Sequence, residues 1–84
     1  MDDHIIAQRI EEGRVEAEAS LRDSGVPVWA IVGHYLFAVD QDAEAVARDY
    51  DIPLDDVVAA LIYYRQHRQA IDARIAENQD RFVA

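Results

Sequence analysis

The stretch from residue 42 to residue 62 constrains the fold most, because a proline interrupts an otherwise helical pattern there. Asp42 belongs to the residue types that cap helix N-termini, and apolar residues follow it at helical spacing. Pro53 cannot continue that helix, but a proline is tolerated in the first turn of another. The stretch therefore predicts two helices separated by a tight break at Asp51-Ile52-Pro53, which is a helix-turn-helix pattern.

Beyond this break, apolar residues continue at alternating steps of three and four residues. The spacing predicts one uninterrupted helix from Leu54 to about Asn78. At 1.5 Å per residue such a helix is about 36 Å long, so its outer turns should protrude from so small a domain. The apolar residues at this spacing are Val57, Leu61, Tyr64, Ile71 and Ile75.

The protruding helix predicts a protein contact, since aromatic residues and arginine are enriched at interfaces. Substituting Tyr64 or Ile71 with alanine should then weaken association and leave the monomer's helix content intact. The pattern favours equally a helix whose apolar residues pack back on the N-terminal segment. The residues predicted to contact a partner or a second copy are Tyr63, Tyr64, Arg68, Ile71 and Ile75.

The N-terminal segment, residues 4–22, fits two structures. Residues 15–21 alternate apolar and polar side chains, which is typical of a half-buried strand, and Glu12-Gly13 offers a turn back onto residues 5–10. Its apolar residues also share one face of a helix. Glycine inside a helix costs about 1 kcal/mol relative to alanine, so Gly13 favours the hairpin.

An uncharged run from Gly25 to Val39 follows a turn cluster at residues 22–25. Pro27 suits a first helical turn, and the run predicts a helix that is apolar nearly all round and therefore buried. We predict a mainly α protein with a short N-terminal β-hairpin, a helix-turn-helix core and a long C-terminal helix. Residues 1–24 form the β-element and residues 25–84 the helical domain.

The net charge and the composition exclude several classes of function. Seventeen acidic and eight basic residues give a net charge of −9, which argues against a generic polyanion binder. The absence of cysteine excludes disulfides and predicts a cytoplasmic protein. The longest uncharged run is shorter than the ~20 apolar residues of a membrane-spanning helix, so no membrane association is expected. An 84-residue chain buries a small core, so we expect a homodimer or another partner.

Catalysis has little support in the sequence. The chain contains no Cys, Thr or Lys and no glycine-rich phosphate loop. His4, His34 and His67 are too scattered for a metal-binding signature. We therefore expect no enzyme activity, no cofactor and no metal.

Three blocks of residues resemble the bacterial and archaeal family catalogued as domain of unknown function 433. The block Leu21 to Val32 resembles its strand-to-helix motif, I-R-G-T-R-[IV]-P-V-W-x-[IV]-[LV], with Asp23-Ser24-Gly25 in place of Gly-Thr-Arg. Ala43 to Leu61 resembles its helix-turn-helix stretch. Tyr63-Tyr64, His67-Arg68 and Ile71 to Glu77 resemble its C-terminal helix.

This resemblance implies a homeodomain-like fold of three helices with a short N-terminal β-element. It also implies the antitoxin half of a toxin–antitoxin pair, whose partner is a PIN-like ribonuclease neutralised by direct binding. A DNA-binding autoregulator is the alternative within the family. A stand-alone homo-oligomerisation module is the alternative outside it.

The acidic residues favour the antitoxin role over DNA binding. A DNA-reading helix offers its N-terminal residues to the bases, and here those residues are Leu54, Asp55 and Asp56. Residues 40–56 contain seven acidic side chains against Arg48 alone, so they should repel a duplex and suit the basic rim of a nuclease. If DNA is bound, the contacts are predicted at Arg65, His67, Arg68 and Arg74 or at the arginines of the N-terminal hairpin.

Overall fold

The computed structural model describes residues 2–83, and the side-chain surroundings of residues 4–78. Within residues 2–83 the chain forms five α-helices, so the mainly α prediction is confirmed. They are α1 (Asp2–Arg9), α2 (Val28–Phe37), α3 (Ala43–Tyr50), α4 (Leu54–Gln66) and α5 (Arg68–Val83). Two short strands, β1 (Ile10–Glu11) and β2 (Ser20–Leu21), and a 3₁₀ turn at Glu16–Glu18 lie between α1 and α2.

The predicted break between α3 and α4 is confirmed. Asp42 caps α3, because its Oδ1 accepts a hydrogen bond from the Ala45 N–H at 3.1 Å. At the other end Asp51 takes the left-handed conformation with φ of 56°, and its N–H donates to carbonyls of the last turn. Pro53 then precedes the first turn of α4. Local chemistry alone therefore ends one helix and starts the next.

The hydrophobic core draws residues from the N-terminal segment and from α2, α3, α4 and α5. α4 packs against α1, α2 and α3, and α5 packs mainly on α2 and the 3₁₀ turn. The N-terminal segment thus shares one core with the helices. The largest fully buried side chains are Tyr63, Ile10, Leu21, Ile31, Ile71, Val28, Val32, Val46 and Val57.

The predicted N-terminal hairpin exists but is much shorter than expected. The antiparallel ladder pairs Ile10 with Leu21 and Glu11 with Ser20. Residues 5–9 are helical, which corrects the strand prediction; Arg9 at the end of α1 donates a 2.6 Å hydrogen bond to Asp56 of α4. A tertiary contact therefore overrides the local strand pattern.

Gly13 lies in the loop between the two strands, where the chain passes close to itself. A Cβ at this position would lie 2.6 Å from the Cβ of Glu18 and 2.9 Å from its carbonyl oxygen. Real Cβ atoms do not approach other atoms so closely, so the loop needs glycine for space. The alternating pattern of residues 15–21 is interrupted by the 3₁₀ turn, whose Glu16 carbonyl accepts a hydrogen bond from Tyr63 Oη at 3.2 Å.

The prediction of one uninterrupted helix to Asn78 is wrong, because the helix breaks at His67. The His67 N–H donates to the carbonyls of Tyr63 and Tyr64, and its imidazole is paired with Glu16. After the break, α5 folds back, and Ile71 becomes fully buried. Burying an isoleucine side chain contributes about 1.5–3 kcal/mol, which outweighs the net ~0.5–1.5 kcal/mol of a typical backbone hydrogen bond.

The helix predicted between Gly25 and Val39 is confirmed as α2, which Pro27 precedes. Its predicted burial on all sides is wrong. Val28, Ile31 and Val32 are buried, but Phe37 is 64% exposed. So small a domain does not supply enough neighbours to cover every side of an apolar helix.

Candidate interaction surfaces

Three of the five residues predicted to contact a partner are part of the chain's own core. Tyr63, Ile71 and Ile75 are at most 6% exposed, so the prediction that they form an outer surface is wrong. The physical reason is the break at His67, which turns the apolar stripe of α5 inward. Burial and the nearby carboxylates of Glu12 and Glu16 raise the pKa of the Tyr63 hydroxyl.

The other two predicted contact residues remain at the surface. The Tyr64 hydroxyl donates a 2.7 Å hydrogen bond to Asp72, and the Arg68 guanidinium lies 5.3 Å from the centre of the Tyr64 ring. Partial burial, followed by the hydrogen bond to Asp72, raises the pKa of Tyr64. A partner contact at Tyr64 and Arg68 stays a prediction.

The residues predicted to contact nucleic acid are mostly engaged within the fold. His67 is paired with Glu16, and Arg74 Nε lies 3.6 Å from the Glu77 carboxylate. Arg68 stacks on Tyr64. Arg65 is exposed at the end of α4. Since acidic groups accompany two of the four, they make a weak basic patch for a phosphate backbone.

Exposed acidic residues are concentrated in the chain between the end of α2 and the first turn of α4. We define the acidic segment as the exposed carboxylates of residues 40–55, among which Arg48 is the basic residue. Its members are Asp40, Asp42, Glu44, Asp49, Asp51 and Asp55. At this concentration of like charge, the segment repels phosphate and attracts a basic surface.

Asp56 departs from the exposed acidic pattern expected of residues 40–56. It is 3% exposed, and its carboxylate accepts the 2.6 Å hydrogen bond from Arg9 Nη1. Arg9 Nη2 also lies 3.5 Å from Asp55. The hydrogen bond to Asp56 raises the pKa of the Arg9 guanidinium, which therefore stays charged. α1 is thus fixed over the first turn of α4.

A groove between α2, α3 and α5 provides an apolar surface that the sequence analysis did not identify. Its volume is about 430 Å³, and the exposed Phe37 ring stands at its edge. The signal in the sequence was an α2 with more apolar sides than a small domain can cover. The lining residues are Trp29, Ala30, Gly33, His34, Phe37, Ala38, Tyr50, Ile75 and Asn78.

Polar contacts fix the wall of this groove. His34 Nε2 lies 2.8 Å from the Asp49 carboxylate, and its ring meets the Tyr50 ring edge-on at 5.3 Å. The Tyr50 hydroxyl donates to the Ala30 carbonyl at 3.4 Å. Burial, with a smaller contribution from Asp49, raises the pKa of Tyr50. The groove is therefore held in shape, and Asp49 joins it to the acidic segment.

Among the residues whose side chains are described, no group of three or more His, Cys, Asp and Glu is placed to hold a metal ion. No helix within residues 2–83 has the length and apolar character needed to cross a membrane.

A family profile described as "Protein of unknown function (DUF433)" matches residues 9–64, which are 56 of the 84 residues. The chain belongs to this family. The DUF433 match begins at Arg9, so it includes the two-stranded ladder and both partners of the Arg9–Asp56 ion pair. No curated protein and no solved structure matches the chain.

The region matched by the DUF433 profile contains some of these surfaces and not others. It contains the first two blocks of resemblance, Leu21 to Val32 and Ala43 to Leu61, and the whole acidic segment. It ends at Tyr64, before α5. The groove is therefore built from α2 and α3 inside the DUF433 region and from α5 outside it.

Proposed function

We propose that this DUF433 protein is a non-catalytic antitoxin-like protein that binds and neutralises a PIN-like ribonuclease. The acidic segment carries the proposal. Its exposed carboxylates favour a basic polypeptide over a nucleic acid, because opposite charge steers association and like charge opposes it. The rim of a ribonuclease active site must attract RNA, so it presents the complementary charge.

The helices α3 and α4 serve in this proposal as a homeodomain-like helix-turn-helix scaffold that does not read DNA. In DNA-binding proteins of this kind the N-terminal residues of the second helix contact base edges. Here the first turn of α4 carries Asp55 and Asp56, and Arg9 donates hydrogen bonds to both carboxylates. Helix α1 also packs along α4. A duplex would have to displace α1 and overcome the acidic segment.

We expect the gene beside this one to encode a PIN-like ribonuclease, and the test is co-expression with that enzyme. We expect co-purification, inhibition of the ribonuclease in an RNA-cleavage assay, and an affinity that falls with added salt. The test variant combines Asp40→Asn, Glu44→Gln and Asp51→Asn, which removes three charges from the acidic segment. Asparagine tolerates the left-handed backbone of positions 40 and 51, where φ is 52° and 56°.

A matched control removes three charges from exposed positions of the N-terminal half, through Glu12→Gln, Glu18→Gln and Asp23→Asn. Both triple variants change the net charge from −9 to −6. The proposal requires the first to weaken inhibition more than the second. Equal loss in both would assign the effect to net charge alone.

The same purified protein decides the alternatives. Salt-dependent binding to its own promoter, without ribonuclease binding, would identify a DNA-binding autoregulator. A concentration-dependent homo-oligomer that binds neither DNA nor ribonuclease would identify a stand-alone oligomerisation module. Either result would refute the antitoxin proposal.

A further inference from the structure

We propose that the apolar groove between α2, α3 and α5 is the anchoring site for an amphipathic helix of the basic partner. This inference rests on the proposed function, since it names where that partner docks. Helix-in-groove recognition places apolar side chains of a partner helix into such a surface. The groove has a volume of about 430 Å³ and is lined mainly by apolar residues.

Phe37 is the first observation that supports a ligand. Its ring is 64% exposed at the edge of the groove. A single exposed apolar residue needs no explanation, but this one borders a concave surface that Trp29 also lines. Aromatic residues next to an apolar depression are typical of the central anchors of protein interfaces.

Gly33 is the second observation, because the fold has no need for glycine there. It lies within α2, where alanine is the more stable residue. A Cβ at this position would lie 3.8 Å from the nearest atom of Ile75, which is ordinary contact distance. Gly33 and Ile75 both line the groove, so the missing side chain leaves space for an incoming group.

Charge selects the kind of occupant. Asp49 of the acidic segment is hydrogen-bonded to His34 in the groove wall, and Asp40 follows the lining residue Ala38 by two positions. An apolar helix flanked by arginine or lysine would meet both surfaces at once. A second copy of this chain, with its net charge of −9, would bring like charge instead.

The tests use two groove variants, one control variant and one intrinsic probe. Phe37→Ser removes the anchor, and Val15→Ser is its control, since Val15 is 55% exposed but lies in the N-terminal loop. Gly33→Ala fills the groove with a methyl group while favouring the helix. Trp29 is the only tryptophan of the chain and lines the groove, so its fluorescence reports occupancy.

With the co-expressed ribonuclease, we expect Phe37→Ser to weaken binding on the order of 10-fold, as anchor truncations do, and Val15→Ser to leave it unchanged. Gly33→Ala should weaken binding while raising the thermal unfolding midpoint by about 5 °C. A reduced affinity with raised stability separates a binding role from damage to the fold. Wild-type binding that both groove variants retain would overturn this inference and leave the proposed function intact.

If the wild-type protein does not bind the ribonuclease, the proposed function fails. A synthetic peptide then tests separately whether the groove binds an amphipathic helix. The probe is a tryptophan-free amphipathic helix of about 18 residues with a leucine stripe flanked by arginine. We expect the peptide to shift the fluorescence emission of Trp29 in a saturable way. The shift should disappear in the Phe37→Ser protein, and also when the arginines of the peptide are replaced by glutamate. No shift, equal shifts with both peptides, or a dimer of this protein that Phe37→Ser dissociates would overturn the inference.

Discussion

Replacing Ile71 with alanine is the most direct test of how α5 is placed. Ile71 is a fully buried residue of α5, whereas a continuous helix would leave it at the surface. The substitution removes three carbon atoms, each contributing about 0.8 kcal/mol when buried, and leaves a cavity. We therefore expect a loss of about 2–5 kcal/mol in the free energy of unfolding.

That loss is a large part of the stability of so small a protein. At 0.05–0.15 kcal/mol per residue, a chain of 84 residues has a total stability of about 4–13 kcal/mol. With an unfolding entropy near 2.1 cal/mol/K per residue, a loss of about 3 kcal/mol lowers the unfolding midpoint by about 17 °C. The expected result is an unfolding midpoint well below that of the wild type.

The assay is thermal unfolding followed by circular dichroism, with size-exclusion chromatography at the same concentrations. Phe37→Ala is the matched control, since it also truncates a large apolar side chain, but at a position 64% exposed. We expect this control to change stability by no more than about 0.5 kcal/mol. If Ile71→Ala instead weakened only self-association and unfolded like the control, the burial of α5 described here would be refuted.

The remaining predictions concern the N-cap, the N-terminal loop and the tyrosines. Asp42→Ala should cost about 0.5–2 kcal/mol, measured by denaturant unfolding, because it removes the cap of α3. Gly13→Ala should cost about 1–3 kcal/mol, since its Cβ would clash with Glu18. The pKa of Tyr63 is raised, so its neutral form stabilises the fold below the unfolded value of about 10, and stability should fall as pH rises above it. The Tyr63→Phe variant should show a shallower alkaline fall.

Each of these three predictions has its own control. Glu44→Ala removes a carboxylate from the first turn of α3 without removing the cap, so it should cost less than Asp42→Ala. Gly25→Ala meets open space but carries a φ of 76°, so its cost is backbone strain of about 1–2 kcal/mol rather than a clash. An alkaline transition in Tyr63→Phe as steep as in the wild type would assign that transition to other groups.

The parts of the fold that the sequence predicted are those that local chemistry decides. Asp42, Asp51 and Pro53 act on neighbours within four residues, so their cap and break could be predicted without tertiary information. Pro27 likewise precedes α2 as its residue type suggests. These features depend on backbone geometry and not on packing.

The errors arise where distant residues decide. The break at His67 contains neither glycine nor proline, and the imidazole contact lies with Glu16, 51 residues away in the chain. The end of α1 is held by Arg9 and Asp56, which are 47 residues apart. The groove follows from how little of α2 the other helices cover. No single-sequence pattern records such contacts.

The late position of Ile71 and Ile75 in the chain has a consequence for biosynthesis. A ribosome completes α1 to α4 before the side chains that close the core have been made. The nascent chain then carries an open apolar surface on α2 until α5 emerges and docks. The core therefore stays incomplete until α5 has been made and has docked on α2.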